Sequence, residues 1–350
     1  MGKNSLYVEI ANQIRHMILN DKELTFIPSE RELASKFNAE RMTVRRGLKV
    51  LVDEGLLISL PGRGTLINPN VRRPQYSFAL EGEKNIQFVL SSTSQSMRTQ
   101  FITNLFVLLE KYCLQFGYKL HYCCVENGNN KHEMQQMFSN TNGVIFFGMV
   151  DESYVREAQK LGISVVLLNS TIPDIPAILF DNLHGGYKAA SHLIRQGCSR
   201  IAFISVPGNT TSAKRFNGYC QALASHKIER EDDLIVNGNW GFESGYNGAL
   251  ELINKKISFD ALLAGNDEMA LGAIRALRQH DIIVPDMIKV VGFDNIEAGA
   301  YAAPSLTTVD FHPKSLAWVT LTMLRHIMNE GVEFDTLIIP SELIVRESSQ

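Results

Sequence analysis

The sequence contains no apolar run of about 18 residues or more, so no segment reads as a membrane span. Met1–Asn20 holds acidic and amide residues where an export signal would need an apolar centre and a cleavage site, which gives the expectation of a cytoplasmic protein. The five cysteines (Cys113, Cys123, Cys124, Cys198, Cys220) are odd in number and form no CxxC pair. A disulfide framework or a zinc ribbon is thereby excluded, and scattered reduced core thiols remain. Catalytic signatures are missing as well. There is no GxSxG elbow, no GxxxxGK[ST] phosphate loop, no HExxH and no GxGxxG after a strand. The nine histidines are scattered singly, so neither a metal nor another cofactor is expected, and the chain does not read as an enzyme.

A strong charge of one sign is absent too: 34 Lys and Arg face 37 Asp and Glu, a net charge of −3. What is present is an ordinary globular composition, 45% hydrophobic and 20% charged, over 350 residues, enough for two or three domains. The balance is uneven along the chain. Residues 1–68 carry ten Lys/Arg against eight Asp/Glu, whereas the remainder is acidic.

Within that first part, Leu6, Ile10, Ile14 and Met17 recur at helical spacing, predicting a helix over Ser5–Leu19. Ser29 and Glu32 have the spacing of a capping box, opening a short second helix with Leu33, Ala34 and Phe37 on its apolar side. A third helix is expected over about Glu40–Glu54, with Val44, Leu48, Leu51 and Val52 facing inward. Arg41, Arg45 and Lys49 fall four residues apart on another face, with Arg46 beside them and Thr43 near. By itself such a stripe is a solvated face. A hairpin follows, Leu56–Ser59 returning through Thr65–Ile67 across a Pro-Gly tip that carries Arg63. Helix, capped helix, basic helix and hairpin make a winged helix-turn-helix whose third helix suits a major groove.

Pro28-Ser29-Glu30-Arg31-Glu32-Leu33-Ala34, Thr43-Val44-Arg45-Arg46, Glu54-Gly55-Leu56-Leu57 and Gly62-Arg63-Gly64-Thr65 resemble the DNA-binding domain of the GntR family almost end to end. The resemblance implies DNA contacts from Arg31, Arg41, Thr43, Arg45 and the wing at Gly62, Arg63 and Gly64; Arg46 and Lys49 join them from the basic face. Glu40 departs from the family, which has Ser or Thr there; a carboxylate caps a helix but repels a nearby phosphate.

The Pro-bounded polar stretch Asn68–Gln75 marks a boundary, giving a DNA-binding domain over 1–68, a linker over 69–84 and an effector domain over 85–350. Beyond it, strand candidates alternate with amphipathic helices: Ile86–Leu90, Lys119–Val125, Gly143–Phe147, Ser164–Leu168, Ala177–Phe180, Ile201–Ser205, Leu234–Val236, Ala261–Ala264 and Lys289–Phe293. That order predicts a doubly wound parallel α/β sheet, and its length predicts two lobes with a cleft between them. Polar residues just past strand ends are the ligand candidates: Asn169, Asp181, Trp240, Asn266, Asp294, and Arg215 at a helix start. Each also has a plain reading. Asn266 or Asp267 can cap a helix, Asp181 and Asp294 can form turns, and Trp240 can plug a core edge.

Asp181-Asn182-x-x-Gly185-Gly186-Tyr187, Arg215-x-x-Gly218-Tyr219, Asn266-Asp267-x-Met269-Ala270-Leu271-Gly272, Val291-Gly292-Phe293-Asp294 and Pro304-x-Leu306-Thr307-Thr308 resemble the effector domain of the LacI family over roughly Asn85–Arg346. The resemblance implies a periplasmic-binding-protein-like fold with effector contacts at Arg215, Asp294, Asn266, Trp240, Asp181 and His184. Whether Phe311 or His312 lines the cleft stays open. A GntR-type head on a LacI-type body resembles the arabinose-repressor subgroup. It implies a homodimer on a palindromic double-stranded DNA operator, released by a monosaccharide such as a pentose or deoxy sugar. A nucleoside or purine effector is the alternative, since Trp240 could stack a base. A soluble sugar-binding protein and an α/β enzyme are the rivals outside regulation.

Overall fold

A computed structural model of the chain describes residues 6, 7, 10, 11, 13, 14 and 17, then 26–53, 56–60, 64–67, 84–91, 99–125, 134, 137–332 and 334–350. Two compact units result, one of Met1–Glu83 with Lys314–Thr322, the other of Lys84–Pro313 with Met323–Gln350. Among the described residues no helix is long and apolar enough to cross a membrane.

In the first unit, Leu6, Tyr7, Ile10, Ala11, Gln13, Ile14 and Met17 are helical, as their spacing predicts. They are followed by β1 (Phe26–Ile27), α1 (Glu30–Lys36), α2 (Arg41–Asp53), β2 (Leu57–Leu60) and β3 (Gly64–Ile67). Buried Ile10, Ile14, Leu33, Val44, Leu48 and Leu51 form one core. The capping box is complete: Ser29 Oγ accepts from Glu32 N at 3.3 Å and Glu32 Oε2 accepts from Ser29 N at 2.8 Å. At Gly47 a Cβ would press on the Tyr7 carbonyl at 3.0 Å, so a glycine in α2 lets the helices cross closely. β3 pairs antiparallel with both β2 and the two-residue β1, a strand too short for any periodicity to announce.

The second unit holds two parallel sheets. Its elements run β4 (Lys84–Ser91), α3 (Gln100–Gln115), β5 (Tyr118–Val125), β6 (Gly143–Phe147), α4 (Glu152–Lys160), β7 (Ser164–Leu168), β8 (Ala177–Phe180), α5 (Asn182–Arg195), β9 (Ile201–Ser205), α6 (Thr210–Ser225) and β10 (Ile235–Asn237). Then come α7 (Phe242–Asn254), β11 (Ala261–Ala264), α8 (Asp267–Gln279), β12 (Lys289–Phe293), α9 (Glu297–Tyr301), β13 (Thr307–Asp310), α10 (Pro313–Glu330, of which Lys314–Thr322 is assigned to the first unit), β14 (Leu337–Ile339) and β15 (Glu342–Ile344). The first-lobe sheet has the order β14-β8-β7-β6-β4-β5 and the second β10-β9-β11-β12-β13-β15; only β15 is antiparallel to its neighbour. The chain therefore passes between lobes three times, after β8, after β13 and after β14. Asp181 N donates to Ile339 O at 3.0 Å, which ties the first and third crossings together.

The nine strands expected from the sequence all form, most with the expected ends, because buried parallel strands read as short apolar runs. Two helix pairs pack unusually close. A Cβ on Gly186 or Gly218 would collide with backbone of the facing helix in the α5–α6 pair, and one on Gly245 or Gly272 would do so in the α7–α8 pair. Those glycines fix where the helices sit, and Arg215 lies at the first crossing.

Candidate functional site

In the first unit the exposed face of α2 carries Arg41, Arg45, Arg46 and Lys49, with Thr43 half-buried beside them; Arg31 is exposed on α1. Val44, Leu48 and Leu51 on the opposite side anchor the helix, so its cations point outward. Glu40 stands at the N-cap position, its carbonyl accepting from Val44 N at 3.1 Å. One cation is not free. Arg45 Nε and Nη2 donate to the two carboxylate oxygens of Glu30, each at 2.8 Å. The Arg45 hydrogen bond holds the Glu30 carboxyl below its usual range. Any anion or acceptor approaching Arg45 would have to displace Glu30 or share the fork with it. Gly64 opens β3, while Gly62 and Arg63 at the wing tip lie outside the described residues.

In the second unit a cavity of about 650 Å³ lies between the lobes. Among its lining polar residues Arg215 is buried, 3% exposed. Each guanidinium nitrogen has a protein partner: Nε donates to Asn182 Oδ1 at 2.8 Å, Nη1 to the Gly265 carbonyl at 2.6 Å and Nη2 to Asp294 Oδ1 at 3.1 Å, which leaves one N–H on each terminal nitrogen for a further acceptor. Three aromatic rings surround it, with centroids at 4.5 Å for Phe293, 5.0 Å for Phe311 and 5.8 Å for Trp240. Burial lowers the Arg215 pKa and raises that of Asp294, and each partner's charge opposes the effect on the other. An arginine does not release its proton under such conditions, so the pair is ionic. Asp267, behind it, is pushed well above the usual carboxylate range by burial and then by Asp294. It accepts from Thr308 Oγ1 at 2.7 Å and from Ile296 N at 2.9 Å, fixing the loop after β12.

Backbone strain concentrates at the same place. Asn169 (φ 60°), Trp240 (φ 75°) and Asp294 (φ 101°) all line the cavity in the left-handed region that side chains disfavour. Each such residue costs about 1–3 kcal/mol and persists only where its surroundings dictate it. For Trp240 the dictating group is Asn266, whose Nδ2 donates to the Trp240 carbonyl at 2.9 Å while Oδ1 accepts from Met269 N. Asn266 thus caps α8 and clamps the Trp240 loop at once.

Arg215, Trp240, Asn266 and Asp294, predicted from the sequence, are all brought to this cavity. Asp181 and His184 are not among its lining residues. Asp181 spends its carboxylate on the start of α5, accepting from His184 N at 3.3 Å, with His184 Nδ1 at 2.9 Å. It lies where the chain crosses from the first sheet to the second, outside the cavity lining. The question left open at 311–312 is answered by packing. Phe311 is fully buried under Arg215 and stacks on Phe180 at 5.3 Å. His312 turns away beside Asp310. The first-lobe wall is formed by Phe101, Ile102, Phe147, Asn169 and Phe180. Of these only Asn169 stands out in the sequence; the aromatic residues are indistinguishable there from core. Asn169 Nδ2 donates across the cleft to Thr211 Oγ1 at 2.9 Å. Among the described residues no group of three His, Cys, Asp or Glu could hold a metal.

Comparison with known proteins agrees with both units. Residues 6–67 match the profile of bacterial regulatory proteins of the gntR family, and residues 190–349 that of a periplasmic binding protein-like domain. The chain is 26% identical to the arabinose metabolism transcriptional repressor of Geobacillus stearothermophilus over 98% of this chain and 97% of the relative. It is 27% identical to the HTH-type transcriptional repressor PurR of Mannheimia succiniciproducens over 78% and 83% of the two chains. Among solved structures, the lac repressor dimer bound to operator superposes with a TM-score of 0.68 at 22% identity, covering 77% of this chain and 96% of that one.

Proposed function

From a chain that joins a GntR-family DNA-binding domain to a periplasmic-binding-protein-like effector domain of LacI type, a DNA-binding transcriptional regulator by its make-up, we propose a cytoplasmic repressor of carbohydrate-utilisation genes. It binds a palindromic operator as a homodimer and is released by a monosaccharide, a pentose or a deoxy sugar. The α2 face enters the major groove with Arg41, Thr43, Arg45 and Arg46 toward base edges, and with Lys49, Arg31 and the Gly62–Gly64 wing on the backbone.

The observation that carries the sugar reading is the polar floor of the cavity. Arg215, Asp294 and Asn169 line one cavity together with Trp240, whose ring centroid is 5.8 Å from the Arg215 guanidinium, so donors and acceptors share the space with an apolar ring. Vicinal hydroxyls take directional bonds from such groups, and a pyranose face covers an indole. Whole-length similarity to an arabinose metabolism repressor supports the same reading. A nucleoside or purine is the second reading, favoured by the same Trp240 ring. A thermal-shift panel of L-arabinose, D-ribose, D-xylose, L-fucose, adenosine and guanine separates them. Stabilisation by a pentose or deoxy sugar alone supports the first reading, and stabilisation by the nucleoside or base alone replaces it.

A further inference from the structure

Helix α3 opens onto the cleft, and among the described residues no side chain from its own start caps it. Thr99 at its N-cap gives the helix no side-chain hydrogen bond, and its first turn contains no acidic residue. The Gln100 N–H nevertheless has an acceptor, Glu268 Oε1 at 2.8 Å. Glu268 lies in the first turn of α8, in the other lobe. A helix N-terminus carries unpaired N–H groups and partial positive charge, and a carboxylate there is strongly favoured. Such a carboxylate ordinarily comes from the cap residue or the first turn. Here it comes from 168 residues away.

Three features make this more than a local contact. The capped turn carries Thr99, Phe101 and Ile102, which line the cavity, whereas Glu268 does not. Glu268 is directly preceded by Asn266-Asp267, the pair that clamps Trp240 and the Asp294 loop. A second hydrogen bond, Asn169 to Thr211, also crosses between the lobes. Any separation of the lobes breaks the Glu268 cap, because its two halves ride on different sheets. A contact present in one of two states biases the equilibrium between them by its own free energy.

We infer that Glu268 is a positioning residue for effector binding: by capping α3 across the cleft it latches the lobes and holds Phe101 and Ile102 against the ligand. This rests on the cavity being the effector site. In the sequence, Glu268 reads as an ordinary acid complementing the dipole of its own helix; the cross-lobe role exists only in three dimensions.

The test uses the full chain and the variants Glu268→Ala and Glu268→Gln. In the absence of any sugar, exchange of the Gln100 amide hydrogen speeds up about tenfold in Glu268→Ala, the loss expected of a removed cap, and less in Glu268→Gln, whose amide oxygen still accepts. Core amides of α8 stay unchanged. Titration with L-arabinose, D-ribose and D-xylose then gives a Kd raised about threefold to tenfold in Glu268→Ala, and partly restored in Glu268→Gln, for whichever pentose the wild type binds. Equal Gln100 exchange in wild type and Glu268→Ala overturns the latch whether or not a sugar binds. Faster exchange with an unchanged Kd overturns its part in binding, since a merely structural cap moves the melting temperature alone. If no pentose binds the wild type, the pentose form of the effector reading fails, and the sugar-free exchange still decides the latch.

Discussion

Arg215 is the residue on which the second unit turns. Its fork satisfies an amide, a carbonyl and a carboxylate beside three aromatic rings, and a lysine cannot reproduce that geometry. Arg215→Lys is therefore expected to cost roughly 3 kcal/mol of stability, as buried pairs do when one partner is lost. It should also weaken effector binding by about two orders of magnitude. Thermal melting and calorimetric titration check the two effects separately, and a variant that binds normally would show that Arg215 is only scaffolding. The residue was legible in the sequence, as were Trp240, Asn266 and Asp294, because polar groups after buried strands stand out against apolar runs. Asp181 and His184 carried the same signal. What separates them is a lobe crossing, which depends on how two sheets share one chain and leaves no local mark.

At the scale of elements, α2 and the α5–α6 pair carry the most specific expectations. Lys49 is exposed on the basic face of α2. If that face lies along the duplex, Lys49→Ala lowers affinity almost equally for all sequences and reduces the slope of log affinity against log salt by about 1. Operator titrations at several salt concentrations measure this, and an unchanged slope would remove Lys49 from the interface. In the α5–α6 pair, a methyl group on Gly218 would strike the Leu183 carbonyl. Gly218→Ala must push the helices apart, at a cost of roughly 1–3 kcal/mol or more, and displace Arg215 on the same helix. The expected result is a lower denaturation midpoint together with weaker effector binding, both read by chemical denaturation with and without ligand. Most helices and strands were legible because their apolar periods are clear. The short edge elements β1, β14 and β15 were not: two or three residues carry no period, and their pairing is set by the sheet they join. The first-lobe wall was hidden for a different reason, since Phe101, Ile102 and Phe147 look like any core residues until the cleft is seen.

Across the whole molecule, stability and function meet at the second lobe. His192 is buried, with Nε2 at 2.8 Å from Ser349 Oγ, and burial lowers its pKa from the model-peptide value of 6.5. The folded state then binds fewer protons than the unfolded state, so this histidine favours folding above the unfolded pKa, and that contribution is lost as pH falls below it. The denaturation midpoint should decline as pH falls below about 6.5, and His192→Gln should flatten that decline; an identical acid limb in both proteins would assign it to other groups. The two units together give the central claim, that a small molecule in the cleft governs binding of DNA by the head. The coupling required is modest, about 1–3 kcal/mol between the two sites. The most direct measurement is operator affinity of the intact protein, by gel shift or fluorescence anisotropy, with and without a saturating monosaccharide from the panel. The account predicts an affinity lowered about tenfold or more by one pentose or deoxy sugar, with Arg215→Lys unresponsive to that sugar. Operator affinity unchanged by every monosaccharide would contradict it.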